Sequence, residues 1–161
     1  MLVSIITPAY NSSEFIRKTY DSIVQQTHQN WEWLVTDDCS TDNTWDIVRS
    51  LAQKDSRIKL QKNNINYGAA ISRNNAITQA SGDFLAFLDS DDLWEENKLE
   101  KQVNYMREKK AKFVFSSYKI IGKNNEIYSA DYHMPTEASY KELLKHNFIP
   151  CSSVLIDKSI L

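Results

Sequence analysis

Apolar and polar positions fall in blocks along this chain, and the period of the blocks changes. Leu2 to Thr7 is β-branched and apolar and is stopped by Pro8, which predicts a first strand. Ser12 or Ser13 offers a helix cap and Glu14 a first-turn acid. Phe15, Ile16, Thr19, Tyr20, Ile23 and Val24 then recur at helical spacing up to Gln26. Trp31 to Thr36 predicts a second strand that runs into Asp37 and Asp38. The segment from Cys39 to Asn43 is turn chemistry, and Trp45, Ile47, Val48 and Leu51 mark a second helix. A short third strand over Ile58 to Gln61, a loop over Asn63 to Gly68 and a third helix over Ala69 to Ala80 come next, with Gly82 as its expected left-handed cap. Phe84 to Leu88 is apolar throughout, as in a strand buried on both faces. Beyond it the pattern predicts a long helix over Leu93 to Lys109 and a hairpin of Phe113 to Ile121 with Glu126 to Ser129. A short helix over Ser139 to His146 and a last strand over Ser153 to Asp157 complete the chain.

Strands alternate with helices four times in the first 110 residues, which implies an α/β fold with a mostly parallel sheet and helices on both faces. Three strand ends carry polar chemistry. They are Thr7 to Asn11, the pair Asp37 and Asp38, and the run Asp89, Ser90, Asp91, Asp92. A doubly wound sheet puts all three at one edge, where such folds bind ligands. Clustered carboxylates repel unless a positive charge sits between them. A hard divalent cation that shares its shell with substrate phosphates is the usual answer. The competing role for Asp91 or Asp92 is a helix cap. Asp38 could accept the imide N–H of a uracil ring or act as a cap. Tyr10 could stack on a base or pack at the core rim. Arg73 could neutralise a diphosphate, steady Asp38 or form a structural ion pair.

Composition narrows the classes. The 161 residues suffice for one domain with a real core. With 19 basic against 21 acidic residues, the chain has no electrostatic footprint for nucleic acid. Cys39 and Cys151 have neither metal-ligand spacing nor disulfide density, so a reducing cytoplasm is expected. The N-terminus turns polar too soon for a signal peptide, and no apolar run approaches a membrane span. His28, His133 and His146 are scattered and carry no assigned role.

Three stretches together resemble a family 2 glycosyltransferase of the GT-A fold. They are SIITPAYNSSEFIRKTYDSIVQQT (residues 4–27), WEWLVTDDCSTDNT (31–44) and NYGAAISRNNAITQASGDFLAFLDSDD (66–92). The resemblance is good over residues 2 to 110 and looser beyond. It implies a single GT-A domain, a three-layer α/β/α arrangement with a mostly parallel central sheet, truncated on its acceptor side, with residues 1–110 as the nucleotide-binding part. It further implies a UDP-sugar donor, Mn2+ or Mg2+, a glycan or lipid-linked acceptor, inverting transfer, and work in the cytoplasm at the inner face of the plasma membrane. By position, Pro8, Ala9, Tyr10 and Asn11 match the loop around the nucleoside, and Asp38 the acid that reads uracil. Arg73 matches an arginine near the nucleotide. Asp89, Ser90 and Asp91 form the D-x-D motif, with Asp91 the expected metal ligand and Asp89 nearer the ribose or sugar. The family often has glycine where Cys39 stands, a difference expected to affect turn geometry.

The resemblance also implies an acidic general base beyond the CSSVLIDKSIL region, so the base is expected beyond Leu161. Glu126, Asp131, Glu137, Glu142 and Asp157 have no matching context. A nucleotide-sugar-binding module without catalysis is the alternative. Two further classes fit less well. A response-regulator receiver needs acids after the first strand, where Thr7 and Pro8 stand. A sugar nucleotidylyltransferase needs a glycine-rich basic loop there, and residues 8 to 14 contain no glycine, lysine or arginine.

Overall fold

A computed structural model describes residues 1–122, 126–128, 134–135 and 137–161. In chain order the elements are β1 (Val3–Ala9), α1 (Ile16–Val24), β2 (Trp31–Asp37), α2 (Thr44–Ala52), β3 (Ile58–Lys62), α3 (Ala69–Thr78), β4 (Phe84–Phe87), α4 (Lys98–Lys109), β5 (Phe113–Val114), α5 (Tyr140–Lys145) and β6 (Leu155–Asp157). Short 3-10 turns cover Cys151–Ser153 and Lys158–Ile160. The strands form one sheet in the order β3-β2-β1-β4-β6-β5. The first four are parallel, whereas β6 runs antiparallel to both β4 and β5. The sheet is therefore mostly parallel, with a reversed edge contributed by the C-terminal third.

Every residue of β1 and β2 is buried, the polar Ser4, Thr7, Glu32, Thr36 and Asp37 included, as befits central strands covered on both faces. One core joins Val3, Ile5, Trp33 and Ala86 to Ile16 and Ile23 of α1, Val48 of α2 and Leu99 and Val103 of α4. The other joins Ile6, Leu34 and Leu85 to Ala76 of α3. The period-2 alternation of each strand thus sends successive side chains into two helical layers. The buried residues of α3 are Ser72 and Ala76, both small, which lets this helix lie close to the sheet. Most buried polar side chains of the strands are paired, although Trp31 Nε1 and Asp37 Oδ1 of β2 have no partner among the described residues. Trp33 Nε1 donates to Thr7 Oγ1 at 2.8 Å, and Ser4 Oγ donates to Glu32.

Several boundaries differ from the sequence pattern for local reasons. Gly82 is not left-handed; the one glycine with positive φ is Gly68 (φ 85°), which precedes α3. Gly82 is instead required by close approach, since a Cβ there would lie 2.7 Å from the Leu2 carbonyl oxygen and from Ser4 N. Neither Ser12 nor Ser13 caps α1, whose N-cap is Phe15 without a side-chain bond. The Ser12 carbonyl accepts from Phe15 and Ile16 N–H instead. Helix α4 begins at Lys98 rather than Leu93, because Trp94 turns inward to donate from Nε1 to the Ser152 carbonyl at 2.8 Å. Of the expected hairpin the described residues keep one bridge between Ile121 and Ile127, while its first strand is cut to the two-residue β5, which pairs with β6 instead. Its turn at 123–125, together with Ser129, Asp131 and His133, lies outside the described residues.

Candidate functional site

The ends of β1, β2 and β4 meet at one edge of the sheet. Residues Pro8, Ala9, Tyr10, Asp38, Ala69, Arg73, Asp89, Ser90 and Asp91 line a cleft there of about 220 Å³. Each expected site residue except Asn11 is on this wall. Ala69, at the start of α3, is an addition the pattern did not signal.

Asn11 has another role. It sits at φ 47° and its Oδ1 accepts from Thr41 N–H at 2.9 Å, while its own N–H donates to Ser40 Oγ. Ser12 N–H donates to Thr44 Oγ1 and Ser13 N–H to Asp42 Oδ2 at 3.0 Å. The loop after β1 is therefore sewn to the loop after β2. Burial alone would raise Asp42, but the hydrogen bonds from Thr44 and Ser13 outweigh it and bring its carboxyl down to about 2. Cys39 in the same turn is left-handed at φ 64°, the conformation that glycine takes without strain.

Asp38 is only 2% exposed and its carboxylate is heavily used. Oδ1 accepts from Asn63 Nδ2 at 2.7 Å and Tyr67 N–H at 2.9 Å, and Oδ2 accepts from Gly68 N–H at 2.7 Å. Burial opposes ionisation, yet these bonds hold its carboxyl below the usual carboxylate range. The Ser72 hydroxyl adds a further hydrogen bond to this carboxylate. Asp38 thus folds the loop between β3 and α3 and still faces the cleft. Asn63 supports it through Ser72 Oγ and Asn75 Nδ2, a buried network with no local sequence signal.

Arg73 does not reach Asp38. Its Nη2 pairs with Asp89 Oδ1 at 2.5 Å across the cleft, and its Nε, buried, has no partner among the described residues. The acidic turn is held from three sides, since Thr19 Oγ1 donates to the Ser90 carbonyl at 2.9 Å and Ser152 Oγ binds Asp92. Burial, and then the carboxylates of Asp91 and Asp89, hold the Asp92 carboxyl above its ordinary value against the Ser152 hydrogen bond. Asp91 is exposed and has no hydrogen-bonding or ionic partner among the described residues. The cleft thus offers one committed carboxylate, one paired with an arginine, and one free. None of the acids between residues 111 and 161 that the structure describes lines it, nor do His28 and His146.

An oxygen-only donor set with an unpartnered carboxylate suits a hard divalent cation that completes its shell with ligand oxygens. Asp89 and Asp91 alone would not form a closed protein cage, and no group of three or more metal-ligating side chains occurs among the described residues.

Comparison with known proteins agrees with this geometry. The model of the family described as "Glycosyl transferase family 2" matches residues 4–160. The chain is 44% identical over 160 residues to the UDP-Glc:alpha-D-GlcNAc-diphosphoundecaprenol beta-1,3-glucosyltransferase WfgD of Escherichia coli, covering 99% of this chain and 62% of that protein. The chain spans 61–62% of the length of the curated relatives it matches best in coverage. Among solved structures, S. aureus TarS 1-349 in complex with UDP-GlcNAc superposes with a TM-score of 0.79 at 26% identity, covering 100% of this chain and 46% of that one. The mannosyltransferase PcManGT from Pyrobaculum calidifontis, in complex with GDP-Man and Mn2+, gives a TM-score of 0.67 at 28% identity, covering 73% and 35%.

Proposed function

Because the chain belongs to glycosyl transferase family 2, we propose that its cleft binds the donor of a metal-dependent, inverting sugar transfer from a UDP-sugar to a glycan or lipid-linked acceptor. The observation that carries this reading is the convergence of Asp38, Arg73, Asp89 and the unpartnered Asp91 on one cleft at the carboxyl ends of the parallel strands. Residues 1–110 supply the nucleotide-binding part of a single GT-A domain in this reading, and none of the described acids of residues 111–161 is assigned as the general base. TarS, bound to UDP-GlcNAc, and PcManGT, bound to GDP-Man and Mn2+, support donor binding in this fold.

In this reading the Asp38 carboxylate, which lines the cleft, accepts the uracil imide N–H, and Pro8 and Ala9 line the nucleoside. Tyr10, half exposed at the cleft rim, lies along the base. Arg73 already spans to Asp89 and is within reach to share its charge with a diphosphate. Asp91, with Asp89, would hold Mn2+ or Mg2+, which when bound would neutralise charge that develops on the departing diphosphate. Transfer itself is a displacement: the acceptor hydroxyl oxygen bonds to the anomeric carbon, the carbon–oxygen bond to UDP breaks, and the base takes the hydroxyl proton. With no described acid of residues 111–161 in the cleft, donor binding with slow hydrolysis is the expected behaviour of this chain, whereas the alternative of a binding module without catalysis forecasts binding with no hydrolysis. No helix among the described residues is long and apolar enough to cross a membrane. Action at the inner membrane face is drawn from the acceptor class named for WfgD.

Calorimetric titration of UDP in Mn2+ and in chelator tests the reading. Asp91→Ala should abolish metal-dependent binding and Asp157→Ala should preserve it. Equal affinity with and without metal, or no binding at all, would overturn it.

A further inference from the structure

The turn from Asp89 to Asp92 is closed by a residue far away in the chain. Ser152 Oγ donates to Asp92 Oδ2 at 2.5 Å and accepts from Asp89 N–H at 3.0 Å. One hydroxyl therefore holds both ends of the acidic turn. Ser152 is itself fixed: its carbonyl accepts from Trp94 Nε1 at 2.8 Å, and the Ser153 carbonyl accepts from Gln102 Nε2 at 2.7 Å. Phe87 N–H reaches the Val154 carbonyl at 3.3 Å, which ties the same segment to β4. The 3-10 turn over Cys151–Ser153 is thus anchored on α4 and on the strand that leads into the acids.

We infer that Ser152 is the positioning residue of the acidic turn. Asp91 has no partner of its own among the described residues, so the backbone on either side of it sets its direction. That backbone is spanned by the Ser152 hydroxyl. Three neighbouring carboxylates repel one another. Arg73 opposes this at Asp89 and Ser152 at Asp92. Without the hydroxyl, Asp92 swings toward solvent, the Asp89 amide loses its acceptor, and Asp91 no longer has a fixed aim.

The inference rests on the donor-site reading of the cleft, but the clamp also has a readout of its own. UDP affinity at saturating Mn2+ and amide hydrogen exchange at Asp89 are measured for the wild type, Ser152→Ala, Ser152→Thr and Ser153→Ala. Among the described residues Ser153 Oγ bonds only to the nearby Pro150 carbonyl, so its variant controls for general loosening. Ser152→Ala is expected to weaken UDP about tenfold and to speed exchange at Asp89, because a hydrogen bond to a charged group is lost. Ser152→Thr keeps the hydroxyl and should stay within about twofold, as should Ser153→Ala. Wild-type affinity in Ser152→Ala, or an equal loss in Ser153→Ala, would overturn the clamp. If the wild type binds no UDP, the donor reading fails, and the clamp then stands or falls on whether Asp89 exchange changes in Ser152→Ala.

Discussion

Lys98 is an ammonium group in the core, and replacing it should make the protein more stable. It opens α4 with 8% exposure, donates to Gln102 Oε1 at 2.8 Å, and lies 4.1 Å from the centre of the Trp94 ring. No carboxylate pairs with it among the described residues. Burial pulls its amine from 10.5 down to about 7. The unfolded chain restores the ordinary value, so above pH 7 the unfolded state holds one more proton than the folded one, and stability rises with pH. From these two values the charge costs about 4 kcal/mol at pH 7, and raising the pH to about 9 recovers about 2 kcal/mol of it. Lys98→Met keeps the length and places sulfur against Trp94. It leaves Gln102 Oε1 without its donor, at about 1 kcal/mol. The variant should therefore gain about 2–3 kcal/mol at pH 7, with a gain smaller by about 2 kcal/mol at pH 9. Urea unfolding of both proteins across this range is the assay. Parallel stability profiles, or a less stable variant at pH 7, would refute the argument that the buried charge is the cause.

Two other substitutions probe strain and charge away from the cleft. Cys39→Gly should stabilise by about 0.5–1 kcal/mol, the left-handed penalty at φ 64° less the extra freedom glycine brings to the unfolded chain; a drop in thermal midpoint would contradict it. Glu32 is buried against Lys59, Ser4 and Ser81; burial opposes its ionisation, but the bonds from these partners win and bring its carboxyl from 4.5 down to about 2. Its contribution is complete above pH 4.5 and is lost as pH falls toward 2. Glu32→Gln should therefore cost about 3 kcal/mol at neutral pH and almost nothing near pH 2, which acid titration of unfolding free energies would reveal; a constant difference between the two proteins would exclude the mechanism.

The chemistry at the strand ends is legible in the sequence because it depends on short-range pattern. An apolar run such as Phe84 to Leu88 must be buried, and the polar residues after it must emerge at the rim, so Asp89 to Asp91 can be placed without knowledge of any contact. Arg73 is assignable to the region but not to its partner, since choosing Asp89 over Asp38 depends on how closely α3 lies against the sheet. Asn11 reads as a cleft residue because loop residues give no sign of which way they face; its bonds to Ser40 and Thr41 turn it away. Ser152 and Asn63 act across 60 and 25 residues of separation, and serine and asparagine are too common in turns to announce such roles. Local context makes Gly82 a helix stop, whereas its cause is the passing strand β1.

The cross-bracing between the loop after β1 and the loop after β2 makes them one inherited part. Asn11, Ser12 and Ser13 supply one half of the fastenings and Ser40 to Thr44 the other. A loop transplanted alone from a relative would arrive without its counterpart and leave Tyr10 and Asp38 misaligned. Recombination that respects this seam must carry residues 8 to 44 as a block, with α1 inside it, whatever sugar the recipient is meant to accept.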